Sequence, residues 1–185
     1  IAGREDLRGE HYAVPAVHAC HLENNTCFAY MDGRRMVVYS CNQVPHTLRR
    51  NIAEAIGMPL GDVRVVKPFL GGGFGNKQDT MYEPLVALAS QRLGGRCVAI
   101  TLSREETFVN TRTRHGFDMT IAAAADEAGD LTHRGIRINS NGGSYAAHTH
   151  AVAAYTVTSN FQTYKASAVQ IRESSTVYTN LPSAA

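Results

Sequence analysis

The sequence predicts an α+β fold with a mixed sheet and flanking helices. The chain has 185 residues, of which 44% are hydrophobic and 18% are charged, and this composition is typical of a folded globular protein. Segments with the strand period of two and segments with the helix period are mixed, without the regular strand-helix-strand order of a parallel α/β fold. Because no internal repeat or low-complexity linker interrupts them, we predict a single domain over 1–185. We expect it to be a piece of a longer polypeptide.

The first elements are a β-hairpin and a helix. Two extended segments, 27–30 and 36–39, flank the turn signal Asp32-Gly33, which is typical of a hairpin. Over 45–56 an apolar residue recurs every fourth position after an initial proline, and this spacing predicts a helix. Gly57 follows and can close that helix in a left-handed conformation.

A glycine-rich loop separates the next strand and helix. Val-rich residues 62–67 predict a short strand that leads into the loop 71–75. The spacing of Thr80 and Glu83 matches a capping box and predicts that the second helix starts there. Its apolar face is expected to consist of Met81, Leu85 and Leu88, and its end is expected at the glycine pair 94–95.

The rest of the chain alternates strands and turns. Residues 98–102 predict a strand, and Ser103 with Glu106 forms a second capping box that starts a short helix. Alternating apolar residues predict strands around 117–121 and 136–138. The final third is rich in Ala, Ser, Thr and Tyr and shows little period, so we expect extended or irregular structure there.

Charge and cysteine content exclude several classes of protein. The 18 Lys and Arg against 16 Asp and Glu leave a net charge of +2, too small a surplus for a nucleic-acid binder. No apolar run reaches the roughly 18 residues that a membrane span needs. The four cysteines form no Cys-x-x-Cys pair, and such scattered thiols favour a cytoplasmic protein.

The glycine loop does not match the common phosphate-binding templates. A P-loop counted from Gly71 would need glycine at Asn76 and a hydroxyl side chain at Gln78, and a dinucleotide fingerprint would also need glycine at Asn76. From its local pattern alone, a tight strand-to-helix connection without a ligand is about as probable as a ligand-binding loop.

The loop and its flanks are similar to one known family. Residues 65–79 resemble the molybdopterin-binding subunit of xanthine dehydrogenases, in the wider xanthine oxidase/aldehyde oxidase family. Four further segments match in order and extend the resemblance across nearly all of the chain: 40–46, 102–106, 111–115 and 178–184.

The resemblance implies a molybdenum-molybdopterin cofactor that is held without a covalent bond from the protein to the metal. Gln43 would direct its side-chain amide at an oxygen on molybdenum. Gly72, Gly73, Phe74 and Gly75 would lie beside the cofactor, with the Phe74 ring helping to exclude water. Gln43 and Phe74 would be the residues nearest to the metal.

The resemblance also implies the reaction, which is oxidative hydroxylation of a purine such as xanthine or hypoxanthine. Electrons would leave through 2Fe-2S clusters to FAD on other domains or subunits, which are the expected partners. Gln78 stands where animal xanthine oxidases carry a glutamate that contacts the purine. The family's general base is a glutamate far downstream, so we expect no catalytic residue within these 185 residues and an inactive isolated chain.

Two alternatives remain open at this point. The substrate could be an aldehyde or another N-heterocycle, or the chain could be a noncatalytic scaffold that kept the family fold. A protein metal site at His18, Cys20, His21 and Glu23 is disfavoured, because His18 and His21 would lie on opposite faces of a strand.

Overall fold

The computed structural model describes residues 8–164 and 167–179. The chain divides into two compact units, one of Ile1–Val17 with Thr113–Ala185 and the other of His18–Arg112. The strands are β1 Arg8–Val14, β2 Thr26–Asp32, β3 Arg35–Ser40, β4 Val63–Val66, β5 Val98–Thr101, β6 Gly116–Ala125, β7 Leu131–Asn141 and β8 Val169–Val177. The helices are α1 Pro45–Ile56, α2 Glu83–Arg92, α3 Arg104–Asn110 and α4 Thr149–Gln162, and Leu60–Asp62 forms a 3-10 turn.

The unit His18–Arg112 is built on a mixed four-stranded sheet in the order β4-β3-β2-β5. β3 and β4 are parallel, and the other pairs are antiparallel. Helix α1 connects the two parallel strands and buries Leu48 and Ile52 in a core with Met36, Val38 and Val63. This core fixes the end of β4, from which the glycine loop runs to α2.

The other unit is built on a second mixed sheet in the order β1-β6-β7-β8, in which only β7 and β8 are parallel. Helix α4 buries Val157 and Phe161 against Ile136 and Ile138 of β7. The predicted α+β class with mixed pairing is confirmed, in two sheets. The single domain over 1–185 stays a prediction.

Local signals predicted several elements correctly. Helix α1 has the predicted bounds, and Gly57 adopts φ 67° while its N–H bonds to Ala53 and Glu54 carbonyls. The capping box at α3 is formed, because Ser103 Oγ accepts from the Glu106 N–H at 3.1 Å and Glu106 Oε2 accepts from the Ser103 N–H at 2.8 Å. The β2–β3 hairpin is also confirmed.

The capping box predicted for α2 is wrong. Helix α2 starts at Glu83 without a side-chain cap, and the buried Glu83 carboxylate instead accepts from Ser40 Oγ at 2.7 Å and from the Met81 N–H at 3.0 Å. Leu85 is 64% exposed, whereas Val86 is buried. Leu85 is therefore wrongly predicted to lie on the buried face, whereas Leu88 packs against the core as predicted.

The irregular structure predicted for the final third is wrong for α4. This helix has 14 residues, and its buried stripe consists of Ala153, Val157 and Phe161 at every fourth position. This stripe is only one residue wide, and most of the neighbouring residues are alanine, threonine and serine. The helical periodicity of hydrophobic residues is therefore weak in the sequence. No helix among the described residues is long and apolar enough to cross a membrane.

Leu48→Ala should lower the free energy of unfolding by about 2–5 kcal/mol, because Leu48 is fully buried in the core beneath α1. Leu85→Ala, which makes the same change at an exposed position, should stay within about 0.5 kcal/mol of the parent. Urea-induced unfolding of both variants measures the change in the free energy of unfolding. Equal losses in the two variants would contradict the observation that Leu48 is buried and Leu85 is exposed.

Candidate functional site

A buried lysine anchors the glycine loop. Lys77 lies between β4 and α2, and its side chain is 1% exposed. Its Nζ donates to the Glu23 carboxylate at 2.7 Å and to the Glu23 carbonyl at 2.9 Å. A cation removed from water needs such paired and hydrogen-bonded surroundings, so the lysine ties the loop firmly to the segment before β2.

The same glutamate also bonds to the start of the loop. The Glu23 N–H donates to the Gly71 carbonyl at 3.1 Å, and the Gly71 N–H donates to Glu23 Oε2 at 3.2 Å. A Cβ at position 71 would lie 2.5 Å from the Glu23 Cβ. Glycine is therefore required at 71, because only a bare backbone can approach Glu23 this closely.

Gln43 is held against the middle of the loop. Its N–H donates to the Lys77 carbonyl at 2.8 Å, and its Oε1 accepts from the Lys77 N–H at 3.2 Å. A Cβ at position 73 would lie 2.5 Å from Gln43 Cδ. Since Oε1 is engaged, the amide orientation is fixed, and the side-chain NH₂ donates to none of the described residues. Gln43 thus presents a charge-neutral hydrogen-bond donor beside Gly73.

Phe74 has a strained backbone and an exposed ring. Its φ of 52° lies in the left-handed region, which bulky residues rarely adopt. Gly72, two residues earlier, and Gly75, directly after it, also have positive φ values, of 97° and 91°. The Phe74 ring is 69% exposed, so within the described chain it excludes little water. Such strain is found mostly at ligand-binding and active sites.

Gln78 lies at the end of the same loop. Its N–H donates to the Gly75 carbonyl at 3.2 Å, and its side chain is half-buried. The side-chain amide bonds to none of the described residues and can both donate and accept. All six residues predicted as site residues therefore belong to one loop or contact it.

After the loop, Asn76 bonds to the segment 111–112. The Asn76 side chain is buried, and its Nδ2 donates to Thr111 Oγ1 at 3.0 Å and to the Arg112 carbonyl. Arg112 in turn pairs with Asp79, with Nε 2.6 Å from Oδ2. Sequence reasoning missed Glu23 and Lys77 as organising residues, since their contact joins positions 54 residues apart and leaves no local pattern.

The predicted opposite placement of His18 and His21 is wrong. Neither residue lies in a strand, and their ring centroids are 5.5 Å apart. Burial, followed by the charges of His21 and Arg104, lowers the pKa of His18. Among the described residues, no group of three or more His, Cys, Asp or Glu side chains is arranged to hold a metal ion.

The similarity to known proteins covers most of the chain and not only the glycine loop. A family model described as a molybdopterin cofactor-binding domain matches residues 4–185. A putative xanthine dehydrogenase molybdenum-binding subunit of Escherichia coli strain K12 is 42% identical over 94% of this chain. A probable hypoxanthine oxidase of the same strain is 37% identical over 76% of the chain. The chain spans 23% of the first relative and 15% of the second.

Solved structures share the fold. The aldehyde oxidoreductase of Desulfovibrio gigas superposes with a TM-score of 0.86 at 23% identity, over 99% of this chain and 20% of that one. Quinoline 2-oxidoreductase of Pseudomonas putida 86 superposes with a TM-score of 0.83 at 26% identity, over 99% of this chain and 24% of that one.

Glu23→Gln should destabilise the unit His18–Arg112 by about 3 kcal/mol, because it leaves the Lys77 ammonium buried without its counter-charge. Adding Lys77→Met should recover part of the loss, since the unpaired charge is then gone. Urea unfolding of both single variants and the double variant gives the coupling energy. Strictly additive losses would show that the two side chains do not interact.

Proposed function

The chain belongs to the molybdopterin cofactor-binding domain family, and on that premise we propose that it forms one wall of a molybdenum-molybdopterin site in a molybdenum hydroxylase. The observation that carries the proposal is Gln43, whose amide is fixed by Lys77 and pressed against Gly73 with its NH₂ left free. Gln43, Gly72, Gly73, Phe74 and Gly75 are the proposed cofactor contacts, and Gln43 and Phe74 the residues nearest to the metal.

The geometry of the loop fits a cofactor of this kind. Positive φ values at Gly72, Phe74 and Gly75 fold the loop into a tight turn, which leaves Gln43 beside Gly73 and the Phe74 side chain exposed. Gln43 can donate a hydrogen bond to an oxygen on the metal without adding charge. When bound, the cofactor would supply the two-electron oxidation of the substrate.

We further propose that the substrate is a purine. Two relatives named for xanthine and hypoxanthine support this class. Gln78 follows the proposed cofactor contacts, and its amide can pair with both donors and acceptors on a purine edge. The proposed partners are the iron-sulfur and FAD domains or subunits that would carry the electrons away, in a cytoplasmic enzyme.

Gln43→Ala, in the full-length enzyme that carries this chain, should lower kcat by about 100-fold, the loss typical of one fixed donor at a reacting centre. Gln91→Ala, at an exposed position of α2, is the matched control and should leave kcat unchanged. Molybdenum measured by mass spectrometry should stay near one atom per protein in all three. A wild-type enzyme without molybdenum, produced in cells that make the cofactor, would favour the scaffold alternative.

Gln78→Glu should change kcat/KM for xanthine and hypoxanthine by about tenfold or more, because an ionised glutamate can accept but not donate. The value for an aldehyde without ring nitrogens should change less. Steady-state assays with both purines and benzaldehyde measure this. An enzyme that oxidises the aldehyde well and the purines poorly would replace the purine proposal with the aldehyde alternative.

A further inference from the structure

A second surface of the unit His18–Arg112 carries a cavity that the cofactor proposal does not use. The cavity encloses about 370 Å³ beside the first turns of α1 and along β4, which is within the usual size range of small-molecule sites. Arg35, Arg49, Arg64 and Lys67 supply its cationic lining, and His46 lies among them. We call these five residues and the space between them the basic cavity.

The basic cavity carries a local excess of positive charge, although the net charge of the whole chain is small. The full sequence has a net charge of only +2, yet two arginines from strands, one from a helix and a lysine meet here, and no carboxylate lines the cavity. The neighbouring carboxylate of Asp62 is engaged by Arg34, with both oxygens 3.2 Å from Nη2. Like charges at close range repel, and a bound anion would relieve that repulsion.

Hydrogen bonds within the protein already hold Arg49 in one wall of the basic cavity. Arg49 is half-buried, and it donates from Nε to the Val63 carbonyl at 2.7 Å and from Nη2 to the Leu60 carbonyl at 2.6 Å. These bonds use two of the in-plane N–H donors of the guanidinium and keep it in the cavity wall. An arginine that is already ordered loses less conformational entropy when it binds an anion.

The start of α1 adds to the positive potential. This helix has 12 residues, and its first turn has neither a side-chain cap nor an acidic residue. Pro45 and His46 of that turn line the basic cavity. Uncapped N–H groups and the helix dipole favour negative charge at this position, in addition to the four permanent cations.

We propose that the basic cavity binds a small anion with two or more phosphate groups, either inorganic or as a phosphate ester. Four permanent cations in about 370 Å³ match a compact ligand with several charges. Arginine recognises phosphate oxygens through paired hydrogen bonds. The lack of a wider charge surplus makes a long nucleic acid a poor fit.

The test is a calorimetric titration of the full-length enzyme with inorganic pyrophosphate at low salt. Binding should be saturable with one site, and Arg64→Glu with Lys67→Glu should raise Kd about tenfold or more. The control, Arg50→Glu with Arg92→Glu, makes the same charge change at two exposed residues outside the cavity and should leave Kd within about twofold. If the charge-reversed variant does not fold, Arg64→Gln with Lys67→Gln serves the same comparison.

Further titrations separate the sources of the anion. Tighter binding of ADP than of pyrophosphate would identify a phosphate ester, and the reverse would identify an inorganic anion. Three results would overturn the proposal: no saturable binding of either probe, equal loss in the cavity and control variants, or about tenfold tighter binding of a hexaglutamate peptide. The last would indicate an acidic protein segment as the partner. None of these results depends on molybdenum content, so the cofactor proposal is tested separately.

Discussion

The ion pair between Lys77 and Glu23 is the interaction on which the candidate site depends. An ammonium group that is 1% exposed is stable only while its carboxylate and carbonyl partners stay in place. Glu23 also binds the Gly71 backbone, through its own N–H and through its carboxylate, and the main chain of Lys77 holds Gln43 at both its N–H and its Oε1. One buried charge therefore fixes the start of the loop, its end and the glutamine beside it.

Steric constraints also restrict the conformation of the loop, in addition to the ion pair. Glycine is required at position 71 because the Glu23 Cβ lies where its Cβ would be, and a Cβ at position 73 would displace the Gln43 side chain. Between and after them the chain turns through positive φ values, and Phe74 accepts the same conformation despite its side chain. The cost of that conformation is of order 1–3 kcal/mol, and the surrounding hydrogen bonds offset it. The exposed Phe74 ring and the free amide donor of Gln43 are the features of this loop on which the cofactor proposal rests.

Many elements could be predicted from neighbouring residues alone. The bounds of α1, its glycine cap, the β2–β3 hairpin and the capping box at Ser103 depend on contacts within a few positions. The site residues were predicted through the resemblance of several segments to one family, whereas composition and spacing alone left the glycine loop ambiguous. The small net charge gave no sign of the basic cavity, because its cations are spread between positions 35 and 67.

The sequence by itself determined the α+β class, the local turns and caps, and the family resemblance, because those signals lie within short segments. Only the tertiary structure decided which side chains meet. Glu83 bonds to Ser40 across 43 residues instead of capping α2, and a one-residue stripe on α4 becomes a helix face only by packing on β7. Glu23 and Lys77 are paired across 54 positions. Contacts at such separations depend on the folded path of the chain and leave no periodic pattern.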